Sequence, residues 1–171
     1  MFSAKNHLEK VILPYWNNMK DTENGGFYGF KTYELETIKD SEKGCILHSR
    51  ILWFYSNVYL VIGGEENLKN ATHTFDFIKK HCFDNVYGGI YWMLNADGSV
   101  KDSTKNAYNQ AFCIYGLASY YRATKNQEAL ALAYRLFECL ETYCKDDFGY
   151  KEAFTQDWKA PVESAICDQG V

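Results

Sequence analysis

The chain contains 171 residues, carries a formal net charge of −4 and is 17% aromatic, and this length suffices for one domain with a sizeable core. The lack of a basic run argues against a nucleic-acid partner. The longest uncharged stretch, residues 51–64, contains Ser56 and Asn57 and is short for a bilayer span. We therefore expect no membrane partner, and the oligomeric state stays open.

Six cysteines occur without a C-x-x-C pair, mostly in apolar stretches, and charged residues interrupt any apolar signal-peptide core in the first ten positions. Both features predict buried free thiols in a cytoplasmic protein. Cys45 and His48 lie three positions apart, but two ligands are weak evidence for a metal site. We expect no metal, and no P-loop or dinucleotide-binding signature indicates a nucleotide cofactor.

Apolar periodicity and capping residues predict five helices. The first contains Pro14 as an expected kink or early stop. The second is stopped by Gly63-Gly64, and the fifth begins at Asn126, a residue type favoured at helix N-caps. The predicted ranges are roughly Ala4–Asn18, Lys43–Ile62, Glu65–Cys82, Thr104–Ala123 and Asn126–Cys144.

These helices are of two kinds. The third and fifth carry an apolar stripe at i, i+3, i+4 and i+7, as outer helices with one solvent-exposed face do. The second and fourth contain no charged residue between Arg50 and Glu65 or between Lys105 and Arg122, which predicts inner helices buried on every side. The alternation favours an all-α fold, an α/α toroid or solenoid with short hairpin loops.

A glycine-aromatic turn recurs along the chain. It reads GGFYGF at 25–30, GGIYWM at 88–93 and FGYKEAF at 148–154, with spacings of 63 and 60 positions between corresponding glycines. Such a period indicates stacked supersecondary units that share one core. In a ring of these units, the N-termini of the inner helices and the longer loops share one rim, and we expect a site there. One of these loops contains Asp97-Gly98, a predicted hairpin turn.

After the third turn the sequence contains no further apolar helix, only residues 155–171 with Pro161. We therefore expect residues 1–171 to be the N-terminal portion of one longer catalytic domain, because six such units would need roughly 360 residues. The alternative is a short solenoid with an atypical terminal cap.

Arg50 is the first candidate for chemistry because it lies in the first turns of an apolar inner helix. A buried guanidinium requires a partner, and its fork suits a carboxylate, a phosphate or the paired oxygens of an enediolate or diol. The structural alternative is an ion pair with Glu34, Glu36 or Asp102. The sequence favours neither interpretation.

Further candidates lie one repeat later. An offset of 60 positions pairs His48 with Tyr108 and Arg50 with Gln110, with Asn109 between them. We therefore expect two inner helices to present arginine, tyrosine and amide groups to one rim, as sugar recognition requires. Alternatively, the amides cap the helix and Tyr108 belongs to the core. His48 could act as a base near neutral pH or be structural.

Six segments carry a family likeness: Trp16, ENGGFYG at 23–29, ILHSRILWF at 46–54, GGIYW at 88–92, YNQAF at 108–112 and YKEAF at 150–154. Their order resembles the N-acylglucosamine 2-epimerase family, whose fold is an (α/α)6 barrel. The likeness runs along nearly the whole chain, weakens from about Lys159, and covers about the first half of such an enzyme.

The resemblance implies a cofactor-free isomerase that converts the reducing-end glucose of cellobiose and related β-linked disaccharides to mannose, by removing and returning the C2 proton through an enediolate. It implies that Arg50 contacts the sugar oxygens near the reacting carbons and that Tyr108 lies in the substrate pocket. The other predicted substrate contacts are Asn109, Trp92, His48 and Trp53. The histidines that move the proton in the family lie in the half that is not matched, so we expect this chain alone to be inactive.

Other functions stay open from the sequence. A relative acting on N-acylhexosamines or free mannose would show the same half-site. A glycoside hydrolase on a similar toroid would need two carboxylates about the bond, and Asp97, Asp102 and Glu152 form no persuasive pair. A non-catalytic carbohydrate-binding module is the remaining alternative.

Overall fold

The computed structural model describes residues 3–159 and Val162, so the predictions for Pro161 and Cys167 lie outside the described part of the chain. In that part it contains five helices and seven strands of two or three residues. The helices are α1 (Ala4–His7, a π-helical turn Leu8–Ile12 and Leu13–Asn17), α2 (Cys45–Ile62), α3 (Glu65–Phe77 and a π-helical turn Ile78–Cys82), α4 (Ala107–Thr124) and α5 (Gln127–Cys139 and a π-helical turn Leu140–Cys144). The strands are β1 (Phe30–Lys31), β2 (Thr37–Ile38), β3 (Lys43–Gly44), β4 (Met93–Leu94), β5 (Val100–Asp102), β6 (Lys105–Asn106) and β7 (Ala153–Phe154).

Helix α1 continues past its proline. Its N-cap is Ser3, whose Oγ accepts a hydrogen bond from Asn6 N at 3.2 Å. Pro14 has no N–H to donate, and the backbone adopts the π-helical pattern over the turn Leu8–Ile12, shortly before it. The helix then extends to Asn17, close to the predicted end at Asn18. Of the two effects predicted for Pro14, a kink or an early stop, the early stop does not occur.

The inner helices begin two or three residues later than predicted. Helix α2 begins at Cys45 and α4 at Ala107. The two residues before each helix form a short strand instead, Lys43–Gly44 in β3 and Lys105–Asn106 in β6. Strand β3 pairs with β4, and β6 pairs with β7, both antiparallel. Each short strand before an inner helix is therefore bound to the turn region of the following repeat.

The predicted hairpin turn at Asp97-Gly98 is confirmed, since it joins β4 to β5, which pair antiparallel. Gly98 has φ +86°, a left-handed conformation that favours glycine. A second hairpin, β1 to β2, lies in the loop between α1 and α2. The strands of these rim loops are short, and helices dominate the described chain.

The alternation of inner and outer helices is confirmed. Inner helices α2 and α4 pack side by side, outer helix α3 packs on α2, and outer helix α5 packs on α4. Gly116 permits the close approach of the inner pair, because a Cβ there would lie 2.5 Å from Ser49 O. The prediction that the inner helices are buried on every side is wrong, since Arg50 on α2 and Tyr108 on α4 are exposed. The helix faces opposite the outer layer have no covering element among the described residues.

Helix α2 is the single helix within residues 3–159 whose length and apolar composition match a membrane span. In this fold it packs against α3 on one side and α4 on the other. A helix buried in a protein core meets the same criteria of length and apolar composition.

Candidate functional site

The glycine-aromatic turns share one hydrogen-bonding pattern. In the first, Asp21 N donates to Gly26 O at 2.9 Å, and in the second, Asp84 N donates to Gly89 O at 2.9 Å. Each aspartate Oδ1 also accepts two backbone N–H groups from within its own turn. The third turn, which starts at Asp146, repeats this pattern.

A buried lysine holds each of the first two turns against the start of an inner helix. Lys43 Nζ lies 2.6 Å from Asp21 Oδ2 and Lys105 Nζ lies 3.0 Å from Asp84 Oδ2, and all four side chains are fully buried. Burial acts to raise the pKa of Asp84, but hydrogen bonds from Gln156, Lys105 and two backbone amides outweigh it and lower the pKa to about 2. The carboxylate is therefore charged. Sequence reasoning missed these pairs, although an aspartate followed by a lysine 22 and then 21 positions later repeats in the sequence.

His48 is part of the first turn rather than of an open site. Its ring is fully buried, Nε2 accepts a hydrogen bond from Phe27 N at 3.0 Å, and Nδ1 lies 2.8 Å from Gly44 O. Nε2 is the acceptor, so Nδ1 carries the hydrogen and donates it to Gly44 O. Burial lowers the pKa of His48 to about 4. A neutral, enclosed imidazole does not fit the predicted roles of base or substrate contact.

Gln110 takes the place of His48 in the second repeat. Its Oε1 accepts from Ile90 N at 2.7 Å, and its Nε2 donates to Ile90 O at 2.9 Å. The offset from His48 to Gln110 is 62 positions, as is the offset from Cys45 to Ala107 at the helix starts. The predicted offset of 60, which paired His48 with Tyr108, is therefore wrong for the inner helices.

An arginine and four aromatic side chains form one cluster on the uncovered face of α2 and α4. The Arg50 guanidinium lies 5.8 Å from the centre of the Phe112 ring, and Tyr108 packs edge-on against the same ring at 4.7 Å. Trp53 stacks on Tyr115 with ring centroids 5.4 Å apart. Phe112 also contacts Tyr115 edge-on with ring centroids 6.5 Å apart. These contacts bring Arg50, Tyr108 and Trp53 together on one face.

Two members of this cluster were missed as site residues. Phe112 and Tyr115 follow Tyr108 at i+4 and i+7, the spacing that places side chains on one helix face. That pattern could have identified them, but the fourth helix was interpreted as apolar on all sides. Tyr108 and Tyr115 are each about half-exposed.

Arg50 is exposed, and the prediction that it is buried is wrong. No carboxylate of residues 3–159 lies within ion-pair distance of it, so the alternative of an ion pair with Glu34, Glu36 or Asp102 is not supported. The guanidinium is therefore exposed beside the Phe112 ring and is not paired with a carboxylate of the described residues. Such a group fits an external ligand that has paired oxygens.

Two other predicted contacts lie away from the cluster. Asn109 is fully buried, and its Nδ2 donates to Tyr91 O at 2.8 Å, so it does not reach a ligand on the exposed face. Its Oδ1 has no hydrogen-bond partner in the described chain. Trp92 is half-buried in the rim, where its backbone oxygen accepts from Cys45 N at 3.2 Å and its backbone N donates to Asp102 O at 3.1 Å.

The four histidines of the chain all lie away from this face. His7 is on α1, His73 and His81 are on α3, and His48 is buried. His73 Nε2 contacts Gly26 O, and His81 Nδ1 contacts the hairpin at Gly98 O. No group of three potential metal ligands is present among residues 3–159 and 162. The aromatic rings and the arginine cation of this face suit the binding of a polar ligand. The face carries no histidine that could transfer a proton.

The nested helices and this face define the class of protein: a partial α/α toroid whose inner helices present an arginine among aromatic rings. The chain belongs to the N-acylglucosamine 2-epimerase (GlcNAc 2-epimerase) family, whose sequence profile matches residues 25–165.

Individual relatives agree with this assignment. A cellobiose 2-epimerase from Ruminococcus albus is 52% identical over 167 residues, which is 98% of this chain and 43% of the relative. A crystal structure of a sugar epimerase from a ruminal bacterium superposes with a TM-score of 0.94 at 51% identity, covering 97% of this chain and 43% of that one. A D-mannose isomerase structure gives a TM-score of 0.84 at 20% identity, over 95% of this chain and 43% of that one, which is a likeness of fold alone. The chain thus spans less than half the length of these proteins.

Proposed function

We propose that this chain supplies the Arg50 face of a carbohydrate 2-epimerase acting on the reducing-end glucose of cellobiose and related β-linked disaccharides. The observation that carries the proposal is the guanidinium of Arg50, exposed, without a carboxylate partner and next to aromatic rings. The relatives at about 50% identity are sugar and cellobiose epimerases, which supports a disaccharide rather than an N-acylhexosamine or free mannose.

The proposed chemistry needs a cation close to the reacting carbons. The sugar ring opens, a base removes the proton at C2, and the electron pair moves onto the C1 carbonyl oxygen to give an enediolate. Return of the proton to the opposite face of C2 gives the mannose epimer. Arg50 would donate hydrogen bonds to the enediolate oxygens, which carry more negative charge than the ground-state sugar. Tyr108 and Trp53 would pack against the sugar rings. The epimerisation involves no net change of oxidation state, so it requires no redox cofactor.

The isolated chain is expected to give no turnover, because none of its four histidines lies on the Arg50 face. We also propose a cytoplasmic location, which is supported by five described cysteines that are all free thiols. Cellobiose incubated with the purified chain should be recovered unchanged, and turnover at the rate of a complete enzyme would contradict this proposal.

A chimera tests the catalytic contribution. Residues 1–165 of this chain would be joined to the remaining C-terminal part of the Ruminococcus albus enzyme, and conversion of cellobiose to its mannose-containing epimer would be followed by chromatography. Arg50→Ala should lower kcat by about 10²–10³-fold, the usual loss for one donor to an oxyanion. The matched control Arg122→Ala, at an exposed position of α4, should stay within about twofold, because only a contact with the reacting atoms changes the barrier.

Measuring stability beside turnover distinguishes a contact of Arg50 with the substrate from a contribution of Arg50 to the stability of the fold. Arg50→Ala should leave the thermal midpoint of the chimera nearly unchanged, since Arg50 makes no ion pair in the described chain. A folded chimera without turnover, or an Arg50→Ala variant with full turnover, would overturn the proposal. Binding of cellobiose without conversion by the chimera would favour a carbohydrate-binding module instead.

A further inference from the structure

The Arg50 side chain is exposed and is not ordered by an ion pair in the described chain. No carboxylate of residues 3–159 lies within ion-pair distance of its guanidinium, and a long side chain keeps many rotamers unless a contact orders it. A donor that stabilises developing charge must be fixed before the reaction, because a displacement of about 1 Å can cost 10²-fold in rate. The contact that orders Arg50 therefore bears on the rate of the proposed reaction.

The aromatic ring of Phe112 provides such a contact. The guanidinium carbon of Arg50 lies 5.8 Å from the centre of this ring, inside the limit of about 6 Å within which a ring face attracts a cation. Within residues 3–159, Arg50 is the one arginine with an aromatic ring at such a distance. A carboxylate partner would accept hydrogen bonds from the guanidinium N–H groups. An aromatic ring attracts the cation through its face and leaves those donors available to a ligand.

Packing within and between the inner helices fixes the Phe112 ring. The ring is half-buried and contacts two rings of its own helix edge-on, Tyr108 at 4.7 Å and Tyr115 at 6.5 Å. One turn further along α4, Gly116 lies against the backbone oxygen of Ser49, the residue immediately before the arginine, because a Cβ at this glycine would lie 2.5 Å from that oxygen. This close contact between α2 and α4 sets the ring beside the guanidinium.

We propose that Phe112 is a positioning residue, which holds the Arg50 guanidinium in the orientation needed to stabilise the enediolate. The effect on the rate rests on the proposed function, whereas the contact itself is testable in the isolated chain. Phe112 acts through Arg50 and not by binding the sugar. Its loss should therefore lower kcat and leave KM nearly unchanged, because the interaction that it improves is made only in the transition state.

The first test measures the order of Arg50 in the isolated chain, whose other arginines are Arg122 and Arg135. Both of these are exposed and serve as internal references when arginine is labelled with nitrogen-15. The heteronuclear NOE of the Arg50 Nε–H group, assigned by its loss in Arg50→Ala, should exceed theirs in wild type. Phe112→Leu should lower it to their level, and Phe112→Tyr, which keeps the ring, should not. Equal mobility of Arg50 in wild type and in Phe112→Leu, with both proteins folded by their thermal midpoints, would overturn the proposal.

The second test measures coupling in the chimera with the Ruminococcus albus enzyme. Phe112→Leu should lower kcat about three- to tenfold, which corresponds to the usual strength of a cation–π contact, and Phe112→Tyr should restore most of the rate. In the Arg50→Ala background the same Phe112→Leu change should have no further effect on kcat, because the group that it positions is absent. An equal loss of kcat in both backgrounds, or a rise in KM at unchanged kcat, would overturn the proposal.

Failure of this proposal is distinguishable from failure of the proposed function. A chimera without turnover would overturn the function, and the order of Arg50 in the isolated chain would still decide whether Phe112 holds it. Full turnover by Phe112→Leu, in a chimera that loses activity with Arg50→Ala, would overturn the positioning role and leave the proposed function intact.

Discussion

Replacing Lys43 with alanine should lower the free energy of unfolding by about 3–5 kcal/mol, because it leaves a charged and buried carboxylate without its partner. Lys43 Nζ lies 2.6 Å from Asp21 Oδ2, with both side chains fully buried, and it also donates to Gly25 O at 2.9 Å. Asp21 would keep the backbone amides of Glu23 and Asn24 on Oδ1, at 2.9 and 3.0 Å, and a long contact of 3.5 Å from Asn24 Nδ2 to Oδ2. These neutral donors do not replace the lost ammonium.

Lys145→Ala is the matched control. Lys145 Nζ also lies 2.6 Å from a carboxylate oxygen, that of Glu141, but these side chains are 53% and 30% exposed. Exposed pairs are screened by water and contribute little. Because the two ion-pair distances are equal, the comparison measures the effect of burial together with that of the additional bond from Lys43 to Gly25 O. Urea denaturation followed by tryptophan fluorescence gives both values, with the m-value checking that the cooperativity of unfolding is unchanged.

The pH dependence gives a second, independent check. Burial raises the pKa of Asp21, but hydrogen bonds from Lys43 and from two backbone amides together hold it below its ordinary value of 3.8. The wild-type carboxylate therefore stabilises the fold above about pH 4 and loses this contribution as the pH falls further. Without Lys43, burial raises the folded pKa, and protonation relieves the penalty. The difference in the free energy of unfolding between wild type and Lys43→Ala should therefore become smaller as the pH falls from 7 to 4. A gap that does not change with pH, or one no larger than that of Lys145→Ala, would refute the reasoning.

Three further predictions concern the first turn. His48→Gln should retain most of the stability, because Gln110 makes the equivalent bonds in the second repeat, whereas His48→Ala should lose about 2 kcal/mol; equal losses in urea denaturation would contradict this. Burial lowers the pKa of His48 from 6.5 to about 4, so the unfolded chain binds the proton at a higher pH than the folded chain does. As the pH falls through this range, the free energy of unfolding of wild type should decrease by up to about 3 kcal/mol relative to that of His48→Gln. Gly26→Ala should destabilise far more than Gly63→Ala: both have φ near +70°, but a Cβ at Gly26 would lie 2.6 Å from His48 Nε2, whereas at Gly63 nothing lies within 4 Å. Similar thermal midpoints for the two alanine variants would show that crowding at Gly26 is not the cause.

The helices and their inner or outer positions could be predicted because the physical signal is local. A one-sided apolar stripe identifies α3 and α5, and their predicted ends at Cys82 and Cys144 match the structure. The starts of α2 and α4 were predicted too early, since the strands that replace those first residues depend on pairing with the next repeat. No local pattern contains that information.

The register and the environment of the site were harder to predict. The spacing of the turn glycines was a poor guide because Asp84 and Gly89 are five positions apart, whereas Asp146 and Gly149 are three apart. This shorter third turn shifted the predicted pairing by two residues. Arg50 was predicted to be buried because its helix is apolar, but the absence of charge did not reveal which face of that helix meets the outer layer.

The pairing of β3 with β4 and of β6 with β7 has a consequence for biosynthesis. Lys43 and Gly44, which lead into the helix that carries Arg50, are held by backbone bonds to Met93 and Leu94. The ribosome must therefore release some fifty more residues before the entry to that helix acquires its final backbone partner. The strand that precedes each inner helix is therefore completed by a strand that is translated later. We expect these backbone contacts to form in the order in which the repeats are synthesised.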